Sequence, residues 1–214
     1  LWIALGGADD AHLRDNRLNS VSGNSTYRNK LAEDLVDFCI THGVYGISVD
    51  WEFPDPGTQV NNHVLLLEAI DSKINSSSNP NIKVSVAVGG ETKGTVNHMA
   101  YIHTDLFNSK DDLVDEWHVM AYDFPNTASY NANHSSLKDA EDCMEGWELK
   151  GMDYSKMLLG VPFYGRNSSR TGEIEYNNLT GSSSTNFNSD ISGQWYYNGK
   201  TTLEAKIDLA VEKG

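Results

Sequence analysis

The stretch Gly46-Ile47-Ser48-Val49-Asp50-Trp51-Glu52-Phe53-Pro54 decides how the chain is read. Its first half is apolar, as a strand covered on both faces must be. Its second half turns acidic. Residues two apart on a strand share a face, so Ser48, Asp50 and Glu52 align on one side, with Glu52 nearest the tip. Trp51 alternates away and is expected to pack outward against helices. Two carboxylates one strand period apart repel when both are ionised, so they are expected to hold one proton between them. A carboxyl that keeps its proton beside an ionised partner is equipped to act as a general acid. The plainer alternative is a solvated strand end bearing two ordinary acids.

Similar apolar runs recur on either side of this segment. Leu1–Leu5 ends at Gly6-Gly7, Ile82–Val88 at Gly89-Gly90, Trp117–Tyr122 at Asp123, and Met157–Tyr164 at Gly165-Arg166. Helical stripes separate them. Leu31, Leu35 and Phe38 share a face, with cap candidates Asn24 to Thr26 and a stop at Gly43. Leu66, Ile70 and Ile74 make a second stripe, closed by Ser76 to Pro80. Leu137, Ala140, Met144 and Trp147 make a third, and Thr202 to Lys213 reads as the last helix. Alternating strands and helices predict an α/β fold with a parallel sheet, either open and doubly wound or closed as a (β/α)8 TIM barrel. No G-x-G-x-x-G follows any strand, and the strand ends carry polar or glycine-rich tips, which favours the barrel. Asn167 to Asn198, rich in Ser, Asn, Thr and Gly, reads as one long loop. The chain 1–214 reads as one barrel domain without a separate insertion domain.

Composition narrows the partners. The 214 residues include 16 Lys and Arg against 30 Asp and Glu, a formal charge of −14. Such a surface repels nucleic acid and anionic lipid. The apolar runs are far shorter than the about 20 residues a spanning helix needs, so membrane insertion is not expected. With 10 Tyr and 5 Trp, the chain suits uncharged sugars, which need flat rings and hydroxyl partners. Cys39 and Cys143 read as buried thiols. The seven His are scattered, mostly in loops or on helix surfaces, so no metal site and no cofactor are expected. Asn-x-Ser/Thr sites at Asn24, Asn75, Asn133, Asn167 and Asn178 fit a secreted or periplasmic protein. The opening Leu1-Trp2-Ile3-Ala4 is already strand-like, as in a processed or partial chain.

The central segment resembles the D-x-x-D-x-D-x-E signature of glycoside hydrolase family 18, the chitinase family. Ala4-Leu5-Gly6-Gly7 is similar to that family's S-x-G-G strand and Ser85 to Gly90 to its fifth strand. Met120-Ala121-Tyr122-Asp123 is similar to its M-x-Y-D strand, Gly160 to Arg166 to its G-[IV]-P-F-Y-G-R strand, and Trp195 to Gly199 to the segment before its last helix. The resemblance implies a TIM barrel of which this chain carries strands three to seven, incomplete at both ends and monomeric when complete. It also implies cleavage, with retention, of β-1,4 bonds next to N-acetylglucosamine in chitin or related oligosaccharides. Carried over by position, Glu52 is the acid and base. Asp50 orients the substrate's acetamido group and stabilises positive charge, and Tyr122 donates to the acetamido oxygen. Asp123, Tyr164, Arg166 and Met120 belong to the substrate-binding set. Phe53, Tyr122 and Tyr164 stand near strand tips, where rings stack on sugars. Trp195 is either a sugar contact or a lid on the core.

Three departures stand out. The signature's first Asp is Tyr45 here, its second is Ser48, and the serine of S-x-G-G is Ala4. In the family, the second Asp and that serine hold the third Asp through a shared proton. Ser48 and Ala4 therefore support Asp50 differently here, and Asp50 is expected to face Glu52. The alternatives within the resemblance are an endo-β-N-acetylglucosaminidase acting on N-glycan cores and a non-hydrolytic chitin-binding lectin.

Overall fold

The structure is a computed structural model that describes residues 1–8, 11–90, 110–125, 132–180 and 187–214. Its described residues form two units, one holding Leu1–Gly89 and residues 110–118, the other Gly90 and Val119–Gly214. In the first unit strand β1 (Trp2–Gly6) leads to helices α1 (Ala11–Gly23) and α2 (Ser25–His42). Strand β2 (Gly46–Asp50), helix α3 (Thr58–Ser76) and strand β3 (Lys83–Gly89) follow, and β4 (Glu116–Met120) begins here. Strand β1 runs parallel to β2, with Ala4 opposite Ser48 and Gly6 opposite Asp50. Strand β2 runs parallel to β3, with Ser48 opposite Ser85.

Local signals account for these elements. The Asn24 side chain accepts from the Thr26 and Tyr27 backbone N–H groups at 3.0 and 3.1 Å, so it caps α2. Gly43 ends α2 in the left-handed conformation, φ 64°. The buried stripe of α2 is Ala32, Leu35, Val36 and Cys39. It is rotated from the expected Leu31–Leu35–Phe38 face: small Ala32 and Cys39 sit at the packed spacing, and Phe38 lies outside against His42, ring centroids 4.4 Å apart. Helix α3 buries Leu66, Ile70 and Ile74 as expected, together with Leu67. Trp51 is 1% exposed with its ring 5.7 Å from that of His63 on α3, which is the outward packing its alternation implied. Helix α1 was not apparent from the sequence; among its residues whose burial is described, Leu18 and Ser22 are buried.

The second unit holds the end of β4, α4 (Leu137–Glu148), β5 (Met157–Leu159), β6 (Tyr164–Asn167), β7 (Glu173–Glu175), α5 (Tyr176–Thr180), β8 (Ile191–Ser192), β9 (Trp195–Tyr196) and α6 (Lys200–Lys213). Ser136 and Asp139 close a reciprocal capping box at the start of α4. The face of α4 that carries Ala140, Met144 and Trp147 is buried as its periodicity implied, with Cys143 beside them. Within the first unit β1, β2 and β3 follow chain order in one parallel sheet, the expected α/β pattern.

Two expectations need correction. The run Met157–Tyr164 is not one strand: β5 stops at Leu159, and Tyr164 begins β6 in a different sheet. Pro162 has no N–H to give a ladder, so the run cannot continue as a central strand. The stretch Asn167 to Asn198 is not one loop. Its described part contributes to a four-stranded antiparallel sheet, β7-β6-β9-β8, and to α5. Strands of two to four residues carry too few periods to show in a sequence.

Leu66 is fully buried on α3. Leu66→Ala is expected to lower the unfolding free energy by about 2–5 kcal/mol, read from the urea midpoint with an unchanged slope. An unmoved midpoint would contradict this packing.

Candidate active site

In the first unit the site is built where β2 ends. Asp50 is the last residue of the strand and half-buried, Trp51 turns into the core, and Glu52 and Phe53 are again half-buried. Strand β2 ends at Asp50, so Glu52 and Phe53 lie beyond the strand. The end of β1 braces the same point through its backbone. Gly7 N–H donates to the Asp50 carbonyl at 2.9 Å. Gly6 has φ +118°, and a Cβ there would lie 1.9 Å from the Asp50 carbonyl oxygen, so only glycine permits the approach. One level down, Ala4, Ser48 and Ser85 stand opposite one another across β1, β2 and β3. Ser48 and Ser85 are buried, and among the described residues Ser85 Oγ has no hydrogen-bond partner. Tyr45 is half exposed, its ring edge-on to Trp2 at 5.2 Å.

In the second unit β4 ends in a tight turn. Met120 is half-buried at the end of the strand, and Tyr122 N–H donates to its carbonyl at 2.8 Å. Asp123 follows in the left-handed region, φ 59°. The Tyr122 ring lies against Gly160, where a Cβ would come within 3.0 Å of Cε1, and edge-on to Tyr164 at 6.2 Å. Asp123 is the hub. Arg166 donates to it through a fork, Nε to Oδ1 at 2.8 Å and Nη2 to Oδ2 at 3.0 Å. The Tyr164 hydroxyl also hydrogen-bonds to Asp123. His134 Nδ1 stands 3.3 Å from both the Asp123 backbone nitrogen and its Oδ1. Arg166 also pairs with Glu173 on β7 at 3.1 Å and lies over the Tyr164 ring at 5.3 Å.

Burial alone would push the Asp123 carboxyl up. Hydrogen bonds from His134, Arg166 and Tyr164, with the Arg166 charge, outweigh it and hold that carboxyl well below the usual carboxylate range. Burial pushes the Tyr164 phenol up, and the Asp123 charge pushes it further. The Arg166 guanidinium is raised by its hydrogen bond to Asp123. At neutral pH the cluster is therefore an ionised carboxylate, a cation and a neutral phenol.

Trp195 on β9 is half-buried opposite Asn167, its ring against Gly172, where a Cβ would meet Cη2 at 3.0 Å. His134 was missed: the histidines outside the strands were expected in loops or on helix surfaces, but His134 and His63 are 0% and 1% exposed. Burial lowers the His63 imidazole to about 4, so it is neutral in the core. A lone His in a short polar segment has no spacing signal that would mark it. Among the described residues no group of three or more His, Cys, Asp or Glu is arranged to hold a metal ion, and no helix is long and apolar enough to cross a membrane.

The lowered Asp123 pKa sets a pH dependence. A carboxyl depressed in the folded state contributes stability above its unfolded pKa and loses it as pH falls through the folded one. Asp123→Asn is therefore expected to be less stable than the parent at pH 7, by about 1 kcal/mol or less because the side chain is 40% exposed. The two should converge as pH drops below about 4, the ordinary Asp range; denaturation at a series of pH values measures the difference, and a constant gap would contradict the assignment.

Comparison with known proteins bears on these two sites. The family model described as glycosyl hydrolases family 18 matches residues 1–213. Chitinase 1 of Aphanocladium album is 27% identical over 172 residues, covering 72% of this chain and 39% of its own length. Chitinase A1 of Niallia circulans is 26% identical over 202 residues, covering 79% of this chain and 28% of its own. The chain thus spans well under half the length of these relatives. Among solved structures, a chitinase-like agglutinin from Robinia pseudoacacia superposes with a TM-score of 0.79 at 20% identity, over 100% of this chain and 73% of that one. The GH18 chitinase from Cycas revoluta in complex with (GlcNAc)3 superposes with a TM-score of 0.76 at 18% identity, over 99% and 72%. These structures share its fold. Because the family match runs nearly from end to end, through both the β2 carboxylates and the Asp123 cluster, the chain belongs to glycosyl hydrolase family 18.

Proposed function

We propose that this chain is the central part of a secreted glycosidase that cleaves β-1,4 bonds beside N-acetylglucosamine, in chitin or its oligosaccharides, with retention and with help from the substrate. The observation that carries this reading is the survival of Asp50 and Glu52 at alternate positions where β2 ends. It is supported by membership of the family and by relatives named as chitinases.

In the proposed reaction Glu52 gives its proton to the glycosidic oxygen as the bond to the anomeric carbon breaks and its electron pair passes to that oxygen. The acetamido oxygen of the same sugar forms a new bond to that carbon, giving an oxazolinium ion and leaving no role for a protein nucleophile. Asp50 accepts from the acetamido N–H, and its charge stabilises the cation. Tyr122 donates its hydroxyl to the acetamido oxygen. Water then attacks the anomeric carbon, Glu52 takes its proton, and the acetamido C–O bond reopens. Asp123, Arg166 and Tyr164 act together as a fixed frame, with Met120, Phe53 and Trp195 offering apolar surface to sugar rings.

The departures at Ser48 and Ala4 favour a second reading, a barrel that binds such sugars with little or no turnover. The likeness to an agglutinin is compatible with it.

The complete domain, with Glu52→Gln as control, should release products from chitotetraose or from a high-mannose glycopeptide. The first outcome supports chitinase action and the second the N-glycan alternative. Glu52→Gln should lower kcat by about 10²–10⁴-fold; binding without products from either substrate would replace the enzyme by the sugar-binding protein. Ser48→Asp combined with Ala4→Ser restores the family's proton station and should raise kcat, and a fall in an intact fold would overturn the role given to that row.

A further inference from the structure

We propose that Lys206 is a positioning residue that sets the Tyr122–Asp123 turn through the hydroxyl of Ser135. The inference rests on the reading that Tyr122 meets the substrate. Lys206 lies on α6 and is fully buried. Its Nζ donates to the Ser135 carbonyl at 2.8 Å, to Ser135 Oγ at 2.6 Å and to Asn198 Oδ1 at 2.8 Å. None of these acceptors is a carboxylate. A buried ammonium held only by neutral groups is an expensive way to fill a core, and a methionine would fill the same space without the charge.

The arrangement makes sense as a device for orienting one proton. An ammonium has three N–H bonds and no lone pair, and here three acceptors meet it. Ser135 Oγ must accept from it, so the Ser135 hydroxyl proton points elsewhere. It points to the Ala121 carbonyl, 2.6 Å away. Ala121 is the residue before Tyr122, at the point where β4 has ended. Asn198 Nδ2 donates to the Ser135 carbonyl at 2.7 Å and closes the ring of contacts. The neighbouring His134 stands at Asp123. One short segment, 134–135, thus grips both ends of the turn that bears Tyr122.

A neutral amine would behave differently. It has two N–H bonds and a lone pair, so it could accept the Ser135 hydroxyl proton and release the Ala121 carbonyl. Burial lowers the Lys206 ammonium to about 8, against the opposing pull of Asp139 and Cys143 on α4 and of Asp190 ahead of β8. Strand β5, which also packs against α6, brings Met157, Leu158 and Leu159, none of which titrates. The two consequences have opposite sign. The folded pKa lies below the ordinary 10.5, so the charge costs stability below pH about 8 and that cost is relieved as pH rises from about 8 towards 10.5. The turn, by contrast, loses its anchor as pH rises through about 8.

The test uses the complete domain, with the parent compared with Lys206→Met and Ser135→Ala. In the parent, the Tyr122 and Asp123 amide resonances should shift with a midpoint near 8 and kcat should fall on the same limb. In both variants the shift at Tyr122 should vanish. Their kcat should be lower by about 10- to 100-fold with KM little changed, and the alkaline limb should be gone. Amide resonances that ignore Lys206 in the parent would overturn the proposal. So would variants that only melt earlier while keeping the pH profile. If Lys206→Met does not fold, the parent titration and Ser135→Ala decide alone. A parent that hydrolyses nothing yet shows the Tyr122 midpoint would remove the proposed reaction and leave the positioning role standing.

Discussion

The hydrogen bond from Gly7 N–H to the Asp50 carbonyl governs the carboxylate end of the first unit. A parallel strand that has ended usually leaves its last carbonyl to water or to a loop. Here β1 supplies the donor, and it can come so close only because Gly6 has no Cβ. The pairing holds Gly6 opposite Asp50 and therefore Ala4 opposite Ser48. It also holds Trp51 in the core. Beside that buried ring Asp50 and Glu52 are both half-buried, Asp50 as the last residue of β2 and Glu52 just beyond it. Backbone packing thus fixes the strand end from which the Asp50 side chain departs.

The second unit solves a different electrostatic problem. Asp123 gathers a guanidinium fork, a phenol and an imidazole, so its charge is fully engaged. Its carboxyl is too acidic, the Tyr164 phenol too weakly acidic and the Arg166 guanidinium too basic for any of them to exchange protons near neutral pH. Such a cluster is a rigid frame for polar recognition and a poor general acid. In the proposed reaction the proton therefore travels on Glu52, while Tyr122 gives a hydrogen bond without losing its proton.

Much of this was legible in the sequence, and the limits follow from physics. Strands β1 to β4 were found because they are apolar nearly throughout and end in glycine or acid. Helices α3 and α4 were found because Leu66–Ile70–Ile74 and Ala140–Met144–Trp147 keep a helical period. The Asn24 cap and the Gly43 stop were also readable, since each is a local device. The break at Pro162 lay hidden inside an apolar run. The sheet β7-β6-β9-β8 is built of strands too short to show alternation. His134 and Lys206 were invisible for another reason: each owes its meaning to residues far away in the chain, Asp123 and Ser135 respectively. A titratable side chain in a polar-looking segment shows its burial only once the fold closes over it.

The neutral row beneath Asp50 draws these strands of argument together. Ala4, Ser48 and Ser85 occupy a level where the family places a carboxylate and a serine. A second buried carboxylate there would carry a desolvation penalty of several kcal/mol, and its charge would oppose that of Asp50. Ser48 in its place avoids both penalties and offers a hydroxyl, which can donate or accept a hydrogen bond but cannot hold an extra proton. Charge that stabilises a cationic intermediate depends on Asp50 and survives the change. Proton cycling in the proposed reaction would depend on a group that can be protonated and deprotonated near neutral pH, which Ser48 is not. In the proposed reaction the substitution would therefore weaken turnover more than sugar recognition. On that proposal the difference between a slow hydrolase and a sugar-binding protein would lie in the row of Ala4 and Ser48, and the frame around Asp123 would serve either.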